Sequence, residues 1–269
     1  MTTIRKESFK LFMVMLLSDI ALPCAAQAWL DEGASPQIVY YDGIDLAASD
    51  EEDLDCRGKV VVRRISPQCY SDWNNDPTAL PYLFYQIERR TNGEFPTYVD
   101  NTGLTMIDDE MFDYPIIMFT SHFPFSFNEV EVENLQRFIA MGGTLMLDDC
   151  TGSGPFMDSV PVNVQRIAPG AETHLMLPSG RFGDLFTMIY HFDRLPELRE
   201  DFCKPFQATI VNGRPAIMFC PNDYGCLWEV ASPPSAMHPL GIPFHGHNLF
   251  QREEVCQFSI NWLFFALCH

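Results

Sequence analysis

The stretch that most constrains this chain runs from Ser126 to Cys150, SFNEVEVENLQRFIAMGGTLMLDDC. Ser126 with Glu129 three residues on has the form of a capping box, so a helix is expected to begin there. Val130, Leu135, Phe138 and Ile139 recur at helical spacing, and Gly142-Gly143 supplies the stop. Thr144 to Leu147 then reads as a short apolar strand that ends on Asp148, Asp149 and Cys150, ahead of a Thr-Gly-Ser-Gly turn. Upstream, Tyr114 to Thr120 (YPIIMFT) is a second apolar strand, ending at Ser121-His122. Strand, helix and strand in this order make a βαβ unit with a right-handed crossover. Its two parallel strands carry His122 and the Asp148-Asp149 pair to the same sheet edge, the carboxyl end, where α/β proteins place their chemistry.

The flanking segments extend this pattern. Lys59 to Ile65 (KVVVRRI) is a β-branched strand that delivers the chain to a polar loop, SPQCYSDWNNDP. A helix follows to about Arg90, capped by Asp76 or Thr78, with Pro77 and Pro81 tolerated near its first turn. Strand, polar loop and helix start suit an anion or hydroxyl ligand, which makes Asp72, Trp73, Asn75 and Asp76 candidate ligand-binding residues. The plainer alternative is that Trp73 pins the loop and Asp76 caps the helix. Phe95 to Val99 reads as a further strand, whereas 152–195 reads as an irregular excursion with one helix near 182–189. Phe206 to Val211 and Ala216 to Cys220 flank Asn212-Gly213, a β-hairpin signal in the C-terminal half; Pro215 puts the return strand at an edge or delays its start. Residues 221–247 read as a loop. Arg252 to Leu267 is a helix apolar nearly all round and is expected to be buried against the sheet. No repeat or linker divides 59–269, which is expected to be a single α/β domain.

Composition narrows the partners. A formal charge of -19 disfavours nucleic acid and anionic membrane surfaces. Hydrophobic content of 47%, with 22 Phe and 13 Met, provides for a bulky aromatic core. No glycine-rich phosphate loop follows any strand, so no cofactor is expected. Residues 1–28 have the layout of a cleavable signal peptide: Arg5, Lys6 and Lys10, then LFMVMLL, then Ala26-Gln27-Ala28. Ser18, Asp19 and Pro23 interrupt the apolar run before it reaches spanning length, so the mature chain is expected to be periplasmic or secreted, without a transmembrane segment. Residues 29–58 are an acidic N-terminal segment with one short strand at 37–41; its Asp50-Glu51-Glu52-Asp53 run lacks the alternating ligands of a calcium loop. Of eight mature cysteines, Cys220 and Cys226 could clip a loop, while Cys256 and Cys268 suit buried positions on the last helix. With no C-x-x-C pair, no structural zinc site is assigned.

Five segments together resemble a bacterial family known as domain of unknown function 4159. They are SDWNNDPTALPYLFYQIERRT (71–91), FDYPIIMFTSHFPFSF (112–127), EVENLQRFIAMGGTLMLDDC (131–150), YGCLW (224–228) and NWLFFALCH (261–269). The resemblance implies a flavodoxin-like α/β fold similar to class I glutamine amidotransferases, a three-layer sandwich around a mostly parallel sheet, in exported or membrane-associated proteins. It implies no established activity or catalytic set. Phe123, where the family more usually has a small residue, and the stretch 154–199 depart from its pattern.

Three functional readings follow. Amidotransferase-like enzymes hold a cysteine nucleophile in Gly-x-Cys-x-Gly; here Asp148 replaces the first glycine before Cys150, and His238-Pro239 is followed by Leu240 rather than an orienting glutamate. Two adjacent carboxylates also disfavour a thiolate, so this reading is set aside. An acid-base or metal site would combine His122, Asp148 and Asp149, with Asp72 or Asp76 from the first loop, as a hydrolase of a carbohydrate or amide. It requires the strand to have ended before Asp148, because successive strand residues face opposite sides. The third reading, the one expected here, is a ligand- or partner-binding accessory module of the cell envelope, taking a small molecule, glycan or protein on a polar rim with Trp73, Tyr70 and His122.

Overall fold

The computed structural model describes residues 58–269 except 99, 101, 153, 198–202, 233–236, 239–240 and 246–247. The leader, the acidic segment, the strand expected at 37–41 and Cys56 lie outside the described residues.

The KVVVRRI segment forms two short strands, β1 (Val60–Val61) and β2 (Arg63–Arg64), rather than one unbroken strand. The chain changes partner at this point: β1 pairs in parallel with β3 (Thr97–Tyr98), whereas β2 pairs in parallel with β4 (Ile116–Ser121). Between them, α1 (Ala79–Arg90) starts where Pro77 and Pro81 allow, after Thr78. Then come α2 (Glu129–Ala140), β5 (Thr144–Asp149), α3 (Pro155–Ile167), β6 (Thr173–Met176), β7 (Phe206–Val211) and β8 (Arg214–Cys220). A short helix α4 (Tyr224–Trp228), strands β9 (Val230–Ser232) and β10 (Ile242–Pro243), and the long helix α5 (Leu249–Cys268) complete the chain.

The central sheet has the order β2-β4-β5-β8-β7-β6. Its first four strands are parallel, and β7 and β6 join them antiparallel. Strand alternation sorts the core into two layers. Ile116 and Met118 of β4 and Met146 of β5 pack with α1, α4 and α5 on one face. Ile117, Phe119, Leu145 and Leu147 pack with α2 and α3 on the other. Burial all round α5, through Phe258, Trp262, Phe264 and Phe265, agrees with its apolar sequence. Among the described residues no helix is long and apolar enough to cross a membrane.

Several expectations are corrected. The capping box at the start of α2 is Asn128 with Glu131, two residues beyond Ser126 and Glu129. Both pairs have the same spacing, but Phe125 and Phe127 are buried with Phe119 and Phe156, which keeps the chain extended until Asn128. The excursion after Cys150 contains the helix α3: Pro155 occupies its first turn, and Pro161 lies inside it. Phe156, Val160, Asn163 and Ile167 form its buried stripe, so packing holds a helix that proline content argued against. The helix expected near 182–189 is a single 3-10 turn, Gly183–Thr187. Pro215 sits in β8, inside the sheet rather than at an edge, beside an irregularity in the pairing with β7 that absorbs its missing N–H. Between β7 and β8, Asn212 and Gly213 both take left-handed conformations, with φ of 53° and 82°.

Candidate functional site

The strand β5 continues to Asp149, two residues further than its apolar run, and this decides what its two acids can do. In the β4–β5 register Thr120 faces Asp148 and Ser121 faces Asp149. Asp148 therefore points to the layer of α1 and α4, and Asp149 to the layer of α2 and α3. The two carboxylates do not share a site. Asp148 is fully buried, and its two oxygens accept hydrogen bonds from Tyr224 N at 3.3 Å and Gly225 N at 2.7 Å, anchoring the start of α4. Burial and the neighbouring Asp76 push its carboxyl up to about 7, against the hydrogen bonds from Cys220 and the two amides. Asp149 accepts from Thr151 N at 3.0 Å and Thr151 Oγ1 at 2.7 Å, which turns the chain after β5. Neither acid touches His122 in any hydrogen bond of the described residues.

What His122 does touch is Asp72. Its Nδ1 lies 2.6 Å from Asp72 Oδ2, while the other carboxylate oxygen accepts from His122 N at 2.9 Å and Ser121 Oγ at 2.6 Å. A carboxylate only accepts, so Nδ1 carries the proton and Nε2 is left as a base. Burial raises the Asp72 carboxyl, but the bonds from Ser121 and His122 outweigh it and hold it below the ordinary carboxylate value. That Nε2 faces Cys150 Sγ at 3.3 Å. The pair is half exposed, with the His122 side chain 46% and the Asp72 side chain 33% accessible. Aspartate, imidazole and thiol thus form a continuous hydrogen-bonded chain from three separate loops. The histidine beside Cys150 is not His238, the one an amidotransferase-like pattern would offer, but His122 at the end of the neighbouring strand.

Beneath this chain lies a cluster of buried acids. The sequence offers Asp76 as a possible helix cap, yet no side-chain bond caps α1, and Asp76 turns its carboxylate toward two cysteines instead. Cys150 Sγ is 3.5 Å from Asp76 Oδ2, Cys226 Sγ is 3.6 Å from Asp76 Oδ1, and the two sulfurs are 3.6 Å apart. Asp223, at the αL-configured residue before α4 (φ 56°), completes the group with Asp76, Cys150 and Cys226. Burial, with Asp148 and Asp76 nearby, pushes the Asp223 carboxyl up to about 9. The hydrogen bond to Cys226, burial, Asp76 and Asp223 together hold the Cys150 thiol well above its ordinary value. The Cys150 bond favours the Cys226 thiolate, but burial, Asp223 and Asp76 prevail and push it up to about 12. Arg64 is the buried cation facing this group; its Nη2 donates to the Asp76 carbonyl oxygen and its Nη1 to Asn74 Oδ1 at 3.4 Å. Gly225 is tightly enclosed: a Cβ there would stand 3.0 Å from Asp148 Oδ2 and 3.2 Å from Asp76 Oδ2, so the carboxylates would have to shift.

The remaining candidates divide. Asn75 Nδ2 lies 3.3 Å from His122 Nδ1, so it borders the site. Trp73 packs on the α2-side core, its ring over Gly103, where a Cβ would approach it to 2.7 Å. That is the loop-pinning role. Cys220 and Cys226 are not bonded to each other; all described cysteines are free thiols. Cys226, which the sequence offers only as a loop clip with Cys220, and Asp223 lie 150 and 147 positions from Asp76, with no spacing that joins them to it.

A family model described as "Domain of unknown function (DUF4159)" matches residues 61–267. No curated protein matches the chain.

Proposed function

The chain belongs to the DUF4159 family, a membership that fixes no reaction, and from its site we propose that it is a hydrolase acting on an amide or a carbohydrate. The observation that carries this reading is the bond of 2.6 Å from His122 Nδ1 to Asp72, which leaves Nε2 as an oriented base on a half-exposed side chain. In this reading Nε2 takes a proton from water or a substrate hydroxyl as that oxygen attacks, and Asp72 stabilises the imidazolium that forms. Cys150 is not the nucleophile: thiolate attack needs an electropositive surrounding, and Asp76 and Asp223 supply the reverse. Asp148 and Asp149, expected as catalytic partners, take the positioning roles their bonds describe.

A second reading, the binding module, draws on Tyr70 and Phe123, whose rings meet edge-on at 4.9 Å beside His122 while Tyr70 remains 77% exposed. Exposed aromatics at a polar rim suit a sugar or peptide face. The leader-like residues 1–28 support work in the periplasm or outside the cell, and the four parallel strands between helical layers support the amidotransferase-like, flavodoxin-like reading of the fold. The test is a panel of chromogenic amides and glycosides with wild type, His122→Ala and Asp72→Asn. Turnover that falls by about 10²-fold or more in His122→Ala supports the hydrolase. Wild-type turnover at background, with saturable glycan or peptide binding that Tyr70→Ala removes, favours the module instead.

A further inference from the structure

We infer that Asp76, Cys150, Asp223 and Cys226 form a tetrahedral site for one thiophilic divalent cation of the zinc class. Four elements of the fold converge to make it: the loop before α1, the end of β5, the turn after β8 and the first turn of α4. The donor atoms all lie within 4.8 Å of one another. A zinc ion bound at about 2.3 Å to sulfur and about 2.0 Å to oxygen has tetrahedral edges of about 3.5 Å between sulfur and oxygen and about 3.8 Å between sulfurs. Here Cys150 Sγ lies 3.5 Å from Asp76 Oδ2, Cys226 Sγ lies 3.6 Å from Asp76 Oδ1, and the two sulfurs are 3.6 Å apart, close to those edges.

A second, independent observation points to a ligand. Asp223 Oδ1 is buried and has no hydrogen-bond partner, in a residue only 6% exposed. A buried carboxyl oxygen that no donor meets, on a side chain beside both sulfurs, is a position a cation can occupy. Arg64 offers a single charge and directs its Nη2 to a backbone carbonyl rather than to these side chains. Two sulfurs in the donor set select against calcium and magnesium, which take oxygen ligands, and favour zinc. Binding converts the two thiols to thiolates and the raised Asp223 carboxyl to a carboxylate, and releases their protons to solvent, with no change of oxidation state. Asp76 also lies within reach of Glu229 and His245, a set without sulfur, so that alternative uses different partners and can be told apart by mutation. His122 stands outside the four donors, its Nε2 3.3 Å from Cys150 Sγ. The inference does not depend on the hydrolase reading.

The test uses the full chain, reduced, stripped with a chelator and titrated with zinc and with cobalt. One equivalent of zinc per chain is expected, with sulfur-to-cobalt charge-transfer absorption on cobalt loading. Cys226→Ser and Asp223→Asn should each weaken zinc binding by about 100-fold or more, since even outer-shell changes cost 10–100-fold. His245→Ala and Cys256→Ser should leave it unchanged, whereas His122→Ala, which removes a contact to the ligand Cys150, should weaken it less than loss of either ligand does. Circular dichroism of each variant without metal separates loss of a ligand from loss of fold, and Asp223→Asn serves if Cys226→Ser does not fold. Absence of stoichiometric zinc, loss of binding in His245→Ala but not Cys226→Ser, or a Cys150–Cys226 disulfide in the protein as purified would overturn the assignment.

Discussion

Replacing Asp72 by asparagine changes one atom of charge and reverses the logic of the site. The carboxylate accepts three hydrogen bonds, at 2.6, 2.9 and 2.6 Å, from Ser121 Oγ, His122 N and His122 Nδ1. An asparagine carbonyl keeps the first two as neutral bonds, but its amide presents N–H to Nδ1, so the imidazole must move its proton to Nε2. Each bond to a charged acceptor contributes about 1.5–3 kcal/mol and a neutral one about 1. Because a third of Asp72 is in water, solvent screening reduces the difference, and a net loss of about 1–2 kcal/mol is expected at neutral pH. The sign with pH follows from the lowered carboxyl. Its stabilisation is complete above the ordinary value of 3.8 and disappears as pH falls through the folded-state pKa, so wild type and variant converge in acid. Urea unfolding at pH 7 and in acid reads the stability, and nitrogen-15 NMR of the imidazole reads the tautomer. Unchanged Nδ1 protonation in Asp72→Asn, or a stability difference that persists below the carboxyl titration, would refute the argument.

Two other substitutions probe what holds the site in place. Asn163 of α3 accepts from Phe127 N at 3.0 Å and donates to Phe125 O at 3.0 Å, fixing the turn that follows His122; Asn163→Ala should cost about 2–4 kcal/mol in chemical unfolding, through the two orphaned backbone groups. Gly225→Ala puts a methyl between the Asp148 and Asp76 carboxylates, and is expected to lower zinc affinity more than it lowers the thermal midpoint of the metal-free chain; equal losses in both would mean that the glycine serves packing alone.

Much of this was legible in sequence. The βαβ unit, the glycine stop after α2 and the buried last helix follow from periodicity and breakers, and they correctly brought His122 to the edge where β5 ends. What periodicity could not fix was a boundary. Asp148 and Asp149 stay in the strand because β4 pairs with them through Thr120 and Ser121, a tertiary constraint that separates two acids the sequence sets side by side. The helix α3 was hidden by Pro155 and Pro161, although its apolar stripe was present in Phe156, Val160 and Ile167. The acid-thiol cluster was the least visible part, since its donors come from residues 76, 150, 223 and 226 and meet only when a loop, a turn and the first turn of α4 fold over one strand end.

The claim on which the account rests is that the imidazole after β4 and the thiol-carboxylate group after β5 and β8 occupy one site. Diffraction at the zinc absorption edge, from crystals of the zinc-loaded full chain, tests it in a single measurement. The account predicts one anomalous peak at about 2.0–2.3 Å from Asp76, Cys150, Asp223 and Cys226, with His122 bonded to Asp72 and turned toward Cys150. A peak on other residues, or His122 and Cys150 held apart with no shared site, would contradict it.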